Sequence, residues 1–168
     1  MTAPQSPVPL AEAPYASGTG QVPGAGAVWE APRPAPGTTA RTWTLTLPAG
    51  MQLLNANDRD AHWGRRKKLT DSLRQTAAWL ARQQRIPRLE RAHVLAVYQP
   101  PDKRKRDPGN WYPSYKACID GIVTDAGILP GDDAKYLDGP DPRLGEPYPG
   151  GRIVLVITEL PPPDGDAA

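Results

Sequence analysis

The sequence has 168 residues, including 22 prolines and 16 glycines, and its formal net charge is only +2. This length suits one ordinary domain, and the charge gives no sign of a uniformly basic coat protein or an acidic tail protein. No apolar run is long enough to span a bilayer, the first residues do not match a secretory signal, and one cysteine, Cys118, excludes a disulfide framework. We therefore expect a soluble, cytoplasmic, single-domain protein without membrane partners.

The two ends of the chain differ in composition from the part between them. Residues 1–40 contain eight prolines and nine alanines but only three charged residues. Such a segment has too little large apolar surface to offset the entropy lost on ordering, so we expect a disordered or weakly docked tail. A second disordered tail is expected over residues 161–168. The folded domain then covers residues 41–160.

The first half of this domain reads as strand, helix and strand. Residues 42–47 alternate polar and apolar side chains, which is typical of a half-buried strand that ends at Pro48. From about Arg65 to about Gln84 the apolar period becomes that of a helix. The residues that share its predicted face are Leu69, Leu73, Ala77 and Leu80. Residues 93–98 are apolar enough for a central strand.

The second half of the domain predicts a shorter helix and a closing strand. The helix begins near Pro113, a residue accepted in a first turn, and Gly127 is well placed to end it in the left-handed conformation. A short segment follows Asp133, and a strand runs from Gly151 to Glu159. The order β-α-β-α-(β)-β favours an α/β (α+β) fold, with two main helices on one face of a small mixed sheet.

Carboxylates gather around the second predicted helix. Lys116 and Asp120 are four residues apart and therefore point the same way. Asp107 precedes the helix, whereas Asp132 and Asp133 follow it, and a strand end and a helix exit can meet in space. Hard oxygen donors of this kind suit Mg²⁺ or Mn²⁺. The alternative is that these acidic residues only form solvated turns, as acidic residues in loops rich in proline and glycine often do.

The order of these residues along the chain is the more specific signal. It runs Arg106-Asp107-Pro108-Gly109-Asn110, Lys116, Asp120-Gly121, Asp125-Ala126-Gly127-Ile128-Leu129 and Asp132-Asp133, after an upstream Leu54-Asn55-Ala56-Asn57-Asp58-Arg59 and His62-Trp63. This series resembles the signature of the RusA-type Holliday-junction resolvases. The resemblance covers about Thr42 to Glu159 and leaves only the predicted tails outside.

The resemblance implies a homodimeric endonuclease of DNA recombination and repair that uses Mg²⁺, with Mn²⁺ as a possible substitute, to cut paired strands at four-way junctions. The catalytic positions carried over are Asp107, Lys116 and Asp133. The metal-binding positions are Asp107, Asp132 and Asp133. Asn110 matches the asparagine of the family's signature, and we expect it to support these residues. For Asp120 we expect a supporting role, in which it orients Lys116 or a metal-bound water.

The sequence departs from the family's signature at two places. Gly109 stands where the family has its second aspartate, and three extra residues, Trp111 to Pro113, separate the asparagine from the lysine. Asp132 or Asp120 is the candidate to supply the missing oxygen. The lost carboxylate leaves a second interpretation open, which is a protein that binds branched DNA but is weakened as a catalyst.

Charge is divided unevenly along the chain. Residues 59–106 hold fourteen Lys and Arg against four Asp and Glu, a balance of +10, and residues 107–146 have a balance of −5. A basic segment that abuts Asp107 suits a phosphate backbone presented to a metal ion. The predicted DNA contacts are Arg65, Arg66, Lys67, Lys68, Lys103, Arg104, Lys105, Arg106 and Arg143.

Aromatic residues and the proline-rich tail complete the predictions. Trp63, Trp111 and Tyr112 are candidates to stack on unpaired bases, whereas we expect Trp43 and Trp79 to pack in the core. Cys118 is interpreted as a small buried apolar residue, because the sequence shows no histidine partner that would activate it. A third interpretation is a scaffold protein whose tail recruits partners, since a stretch such as Pro32-Arg33-Pro34-Ala35-Pro36 can adopt polyproline II.

Overall fold

Four strands and two main helices make up the computed structural model, which describes residues 40–58 and 62–162. In chain order they are β1 (Thr42–Thr46), α1 (Trp63–Gln83), β2 (Ala92–Gln99), a 3₁₀ turn (Pro108–Trp111), α2 (Tyr112–Asp120), a π-helical turn (Gly121–Asp125), β3 (Leu137–Leu144) and β4 (Arg152–Glu159). The predicted tails fall almost entirely outside the described residues, so their disorder stays a prediction.

The strands form one mixed sheet in the order β1-β4-β2-β3. β4 lies antiparallel between β1 and β2, and β3 pairs in parallel with β2 at the far edge. The predicted α+β class and mixed sheet are therefore confirmed. None of the helices in the described part of the chain combines the length and the apolar character that crossing a bilayer requires.

The central strands are buried on both faces because apolar side chains occupy successive positions. On β2, Val94, Ala96 and Tyr98 join a cluster with side chains of α1 and α2. Their neighbours Leu95 and Val97 belong to a separate cluster on the opposite face. Since successive side chains of a strand point to opposite faces, both helices lie on one side of the sheet, as predicted.

The π-helical turn that follows α2 approaches the backbone of α1 closely at Gly121. A Cβ atom built on Gly121 would lie 2.1 Å from the carbonyl oxygen of Arg74, so only glycine fits at this crossing. Beside it, Arg74 binds Asp125 through two hydrogen bonds, Nε to Oδ2 at 2.8 Å and Nη2 to Oδ1 at 2.7 Å. This bidentate pair holds the end of the π-helical turn to α1.

The predicted elements are in place, with three differences. α1 begins at Trp63, two residues before the predicted start, and β3 is a strand of eight residues where only a short segment was expected. Core packing is confirmed for Trp43, which is partly buried against the core. The same prediction for Trp79 is wrong, since 57% of this residue is exposed. α1 buries the small side chains of Ala77, Ala78 and Ala81 instead.

Candidate functional site

A short loop before α1 is tied to the start of α2. The Leu54 N–H donates to Ser114 Oγ at 2.7 Å, and this buried hydroxyl donates to the Leu54 carbonyl at 2.9 Å. The Ala56 N–H donates to the Asn110 carbonyl at 2.8 Å. The loop that resembles the resolvase signature therefore lies against the segment that carries Asp107.

Asp107 begins the 3₁₀ turn and caps it. Its Oδ1 accepts a hydrogen bond from the Gly109 N–H at 2.8 Å, and its carbonyl accepts one from the Asn110 N–H at 3.2 Å. A Cβ atom at position 109 would lie 3.2 Å from Asp107 Oδ1, which is a tight contact. Gly109 therefore lets the Asp107 carboxylate fold back onto its own turn.

Lys116 and two carboxylates meet beside α2. The Lys116 ammonium donates to Asp120 Oδ1 at 2.8 Å and to Asp132 Oδ2. The pKa of Lys116 is raised above its usual value, first by the hydrogen bond with Asp120 and then by that with Asp132. The hydrogen bond from Lys116 lowers the pKa of Asp132. The shared direction of Lys116 and Asp120 predicted from the sequence is confirmed, and Asp132 joins them.

Asp133, by contrast, organises the turn that leads into β3. Its Oδ1 accepts from the Lys135 N–H at 2.9 Å, and its carbonyl accepts from the N–H groups of Tyr136 at 3.0 Å and Leu137 at 2.9 Å. In the described part of the chain, no hydrogen bond or ion pair joins Asp133 or Asp107 to Lys116. The structure thus brings together Lys116, Asp120 and Asp132, whereas Asp107 and Asp133 each cap a turn of their own.

Whether these residues fit a divalent cation depends on chemistry and on arrangement. Carboxylate oxygens are the donors that Mg²⁺ prefers. Among residues 40–58 and 62–162, however, no three His, Cys, Asp or Glu side chains form a group that could hold a metal ion. One oxygen of Asp132 faces Lys116, and one oxygen each of Asp107 and Asp133 accepts a backbone N–H. The donor types fit, and the metal site of these three residues stays a prediction.

A shallow groove of about 310 Å³ runs beside Asp132. Arg88, Thr124 and Gly127 are among the residues that line it. Arg88 is exposed and lies in the connection between α1 and β2. The sequence reasoning did not single out Arg88, because it stands outside both basic clusters and approaches Asp132 only through the fold.

The first basic cluster lies on the first turns of α1. Arg65 and Lys68 are exposed. Arg66 is partly buried and donates through Nη1 to the Asp58 carbonyl at 3.1 Å. Lys67 is exposed and pairs with Asp71 at 2.7 Å, one helical turn later. Three of the four cations therefore face solvent, as a phosphate-binding surface requires, and Arg66 mainly fastens the preceding loop.

The second basic cluster forms a compact loop after β2. Arg106 Nη1 donates to Asp102 Oδ1 at 2.7 Å and to the Arg104 carbonyl at 3.0 Å, and only 19% of its side chain is exposed. The pKa of Asp102 is lowered to about 2, first by the hydrogen bond from Arg106 and then by that from the Arg104 N–H. Lys103, Arg104 and Lys105 remain exposed, so Arg106 holds the loop while its neighbours offer charge to solvent.

The aromatic candidates separate into exposed and packed side chains. Trp63 and Tyr112 are exposed. Trp111 is different, since its ring centroid lies 4.5 Å from that of Tyr98 and the residue packs partly buried against the core. The proposal that Trp111 stacks on unpaired bases is therefore a poor fit to its position. Arg143 is exposed on β3, as a phosphate contact would need to be.

Two buried groups in α2 are unsuited to nucleophilic or base chemistry. Cys118 is fully buried, and burial raises the pKa of its thiol to about 12. Tyr115 is also fully buried, and burial raises the pKa of its hydroxyl well above the usual value, with a smaller contribution from Asp107 among its neighbours. Both groups stay protonated near neutral pH. This confirms the interpretation of Cys118 as a small buried residue.

Comparison with models of protein families gave no match, and comparison with curated proteins gave none either. The resemblance to the RusA-type resolvases therefore depends on the signature residues alone and stays a prediction.

Proposed function

We propose that this chain is a structure-specific, Mg²⁺-dependent DNA endonuclease that resolves four-way junctions as a homodimer in the cytoplasm. The observation that carries the proposal is the Lys116 ammonium held between Asp120 and Asp132. Of this cluster, Lys116 is a catalytic position implied by the resemblance, Asp132 is an implied metal-binding position, and Asp120 has the expected supporting role. It lies in a chain whose charge changes from basic to acidic at Arg106-Asp107.

Hydrolysis of a phosphodiester requires that water attack phosphorus while negative charge on the phosphate is offset. A divalent cation held by Asp107, Asp132 and Asp133 would polarise the phosphate and lower the pKa of the attacking water. Lys116 contributes positive charge, because a lysine ammonium is protonated at neutral pH and the hydrogen bonds to Asp120 and Asp132 raise its pKa further. Asp120 positions that charge through the 2.8 Å hydrogen bond to Nζ.

DNA binding in this proposal depends on phosphate contacts. The exposed cations of the two basic clusters suit a phosphate backbone, which carries no sequence information, so we expect weak sequence preference. A homodimer with a two-fold axis would place two equivalent sites against two strands of a junction. Both expectations come from the resemblance and from charge.

Cleavage of a synthetic four-way junction with one labelled strand tests the proposal directly. Wild-type protein is expected to introduce paired, symmetric cuts when Mg²⁺ is added. The variants Asp107→Asn and Lys116→Met should cut at least about 100-fold more slowly, as is typical when a charge-stabilising group is removed. Asp138→Asn is the matched control, because Asp138 is an exposed aspartate of β3 outside the proposed site. If wild-type protein binds junctions but never cuts them with Mg²⁺ or Mn²⁺, the proposed endonuclease activity is refuted.

The second candidate is a branched-DNA-binding protein without cleavage activity. Gly109 in place of the signature aspartate favours it. So does the finding that the described residues contain no formed group of three metal-binding side chains. In the same assay this protein would show junction affinity in wild type and in Asp107→Asn alike, with no product in either.

A further inference from the structure

One end of the sheet carries cations on the face that points away from the helices. Val97 on β2 pairs laterally with Arg143 on β3 and with Val154 on β4, so these side chains share a face. Val97 and Val154 belong to the cluster opposite the helices. Arg152 lies two residues before Val154 and pairs with Gln99, so it points to the same face.

Tyr148 lies next to this end of the sheet and stacks on Arg152. Arg152 Cζ is 3.5 Å from the centroid of the Tyr148 ring, and Arg152 Nε donates to Gln99 Oε1 at 2.6 Å. The guanidinium is thus fixed between an aromatic ring and a hydrogen bond. Tyr148 nevertheless remains 37% exposed. An aromatic ring and an oriented cation are therefore presented together.

Two glycines hold Tyr148 in this position. The Tyr148 N–H donates to the Pro100 carbonyl, and the Gly151 N–H donates to the Tyr148 carbonyl, both at 2.8 Å. Gly150 has a φ of +82° and Gly151 a φ of +67°, in the left-handed region that favours glycine. A Cβ atom on Gly151 would also lie 3.0 Å from Pro101 Cδ. The backbone of Tyr148 is therefore held close to the start of β4, beside Arg152.

We infer that the Tyr148 surface, formed by Arg143, Tyr148 and Arg152, binds an unpaired segment of a DNA strand. The inference rests on the proposed function and adds to it a contact for unpaired DNA. An aromatic ring stacks on any unpaired base, and guanidinium groups bind phosphate oxygens. Bases in a duplex are already stacked on each other, so the ring selects unpaired ones. The exposed cations of residues 103–105 follow β2 at this same end and extend the positive charge.

The test is fluorescence anisotropy at one salt concentration, with a labelled oligothymidine strand and a duplex of equal length. Tyr148→Ala should weaken binding of the single strand about 10-fold and binding of the duplex less than about twofold, because the base-stacking ring is lost while the charges of Arg143 and Arg152 remain. Tyr148→Phe should bind like wild type. Trp79→Ala is the matched control, since Trp79 is an exposed aromatic residue on α1 and not at this end of the sheet.

A second readout reports the stacking itself. A strand that contains 2-aminopurine should lose fluorescence on binding to wild type and keep it on binding to Tyr148→Leu, which retains apolar packing but has no ring. Thermal unfolding of each variant verifies that the fold is kept. The inference is overturned if wild type does not bind oligothymidine, or if Tyr148→Ala loses no more affinity than Trp79→Ala. Failure of the proposed function would give a different result. Wild type would then bind the single strand but would neither prefer junctions nor cleave them.

Discussion

The Lys116 ammonium is held by two carboxylates at a position that remains open to solvent. Its side chain is 44% exposed and that of Asp132 is 51% exposed, so water screens their attraction. We predict that Lys116→Met changes the free energy of unfolding by less than about 1 kcal/mol, the range of exposed ion pairs. Urea denaturation measures this. A loss far above that range would show that the cluster stabilises the fold. Slower cleavage by Lys116→Met would then report unfolding and not a lost catalytic group.

Asp102 provides a prediction about protonation. Its pKa of about 2 reflects the hydrogen bonds from Arg106 and from the Arg104 N–H. Since this folded-state pKa lies below the unfolded value of about 3.9, the contribution of Asp102 to stability is present above that value and is lost as pH falls towards about 2. NMR titration of the Asp102 carboxyl carbon should give the low value in wild type.

In Arg106→Gln the pKa of Asp102 should rise towards its ordinary value, because the largest cause of the shift is removed. Arg104→Gln is the control, since the Arg104 side chain lies 3.9 Å from Asp102 and is mostly exposed. An Asp102 that titrates identically in wild type and in Arg106→Gln would contradict the assignment of its partner.

The close crossing of α1 with the π-helical turn leads to a prediction about the helices. Gly121→Ala should lower the free energy of unfolding by about 3 kcal/mol or more, because its Cβ would meet the backbone carbonyl of Arg74 at 2.1 Å. Gly127→Ala is the matched control. It has a left-handed φ of +70° but no atom within 4 Å of an added Cβ. We expect this control to lose only about 1–2 kcal/mol of stability. Since Gly121 has a helical φ of −64°, equal losses in urea denaturation would show that the crossing can adjust to accept the added Cβ.

Most strands and helices could be predicted because their apolar residues recur at a regular spacing, whereas β3 has no such spacing. β1, β2 and β4 follow from runs of β-branched and apolar residues. β3 has the sequence LDGPDPRL, whose prolines are untypical of a strand. It forms at the sheet edge, where β2 is its partner in the sheet. This pairing is a long-range interaction that the local sequence does not encode.

The candidate site was only partly predictable for the same reason. The i, i+4 spacing placed Lys116 beside Asp120, because helical geometry is local. The meeting of Lys116 with Asp132 depends on the path of the chain after Gly127, and so does the approach of Arg88. Asp107 and Asp133 lie in turns whose own N–H groups compete for their oxygens. Of the Tyr148 surface, the sequence singled out only Arg143. Tyr148 and Arg152 meet through the turn at Gly150 and Gly151, and Arg143 shares their side of the sheet only through strand register.

At the scale of the whole molecule, the first described residues close the sheet. Arg41 binds Glu159 through Nε at 2.7 Å and Nη2 at 2.8 Å, and its carbonyl accepts from the Glu159 N–H at 2.9 Å. We predict that deletion of residues 1–39 leaves thermal stability and junction binding close to those of the full chain. Deletion of residues 1–43 is the control and should destabilise the protein, since it removes Arg41 and part of β1. Loss of activity on deletion of residues 1–39 alone, with the fold intact, would instead support the scaffold interpretation.

The position of β4 in the sheet also has a consequence for synthesis on the ribosome. Of the described strands β4 is the last to be made, yet it is the strand that joins β1 to β2. Leu45 on β1 must wait for Leu155, more than a hundred residues later, before it gains its partner. At about 5–20 residues per second, the nascent chain carries an unpaired β1 for roughly 5 to 20 seconds. During that interval the apolar side of β1 is available to chaperones, and the sheet can close only after β4 has emerged.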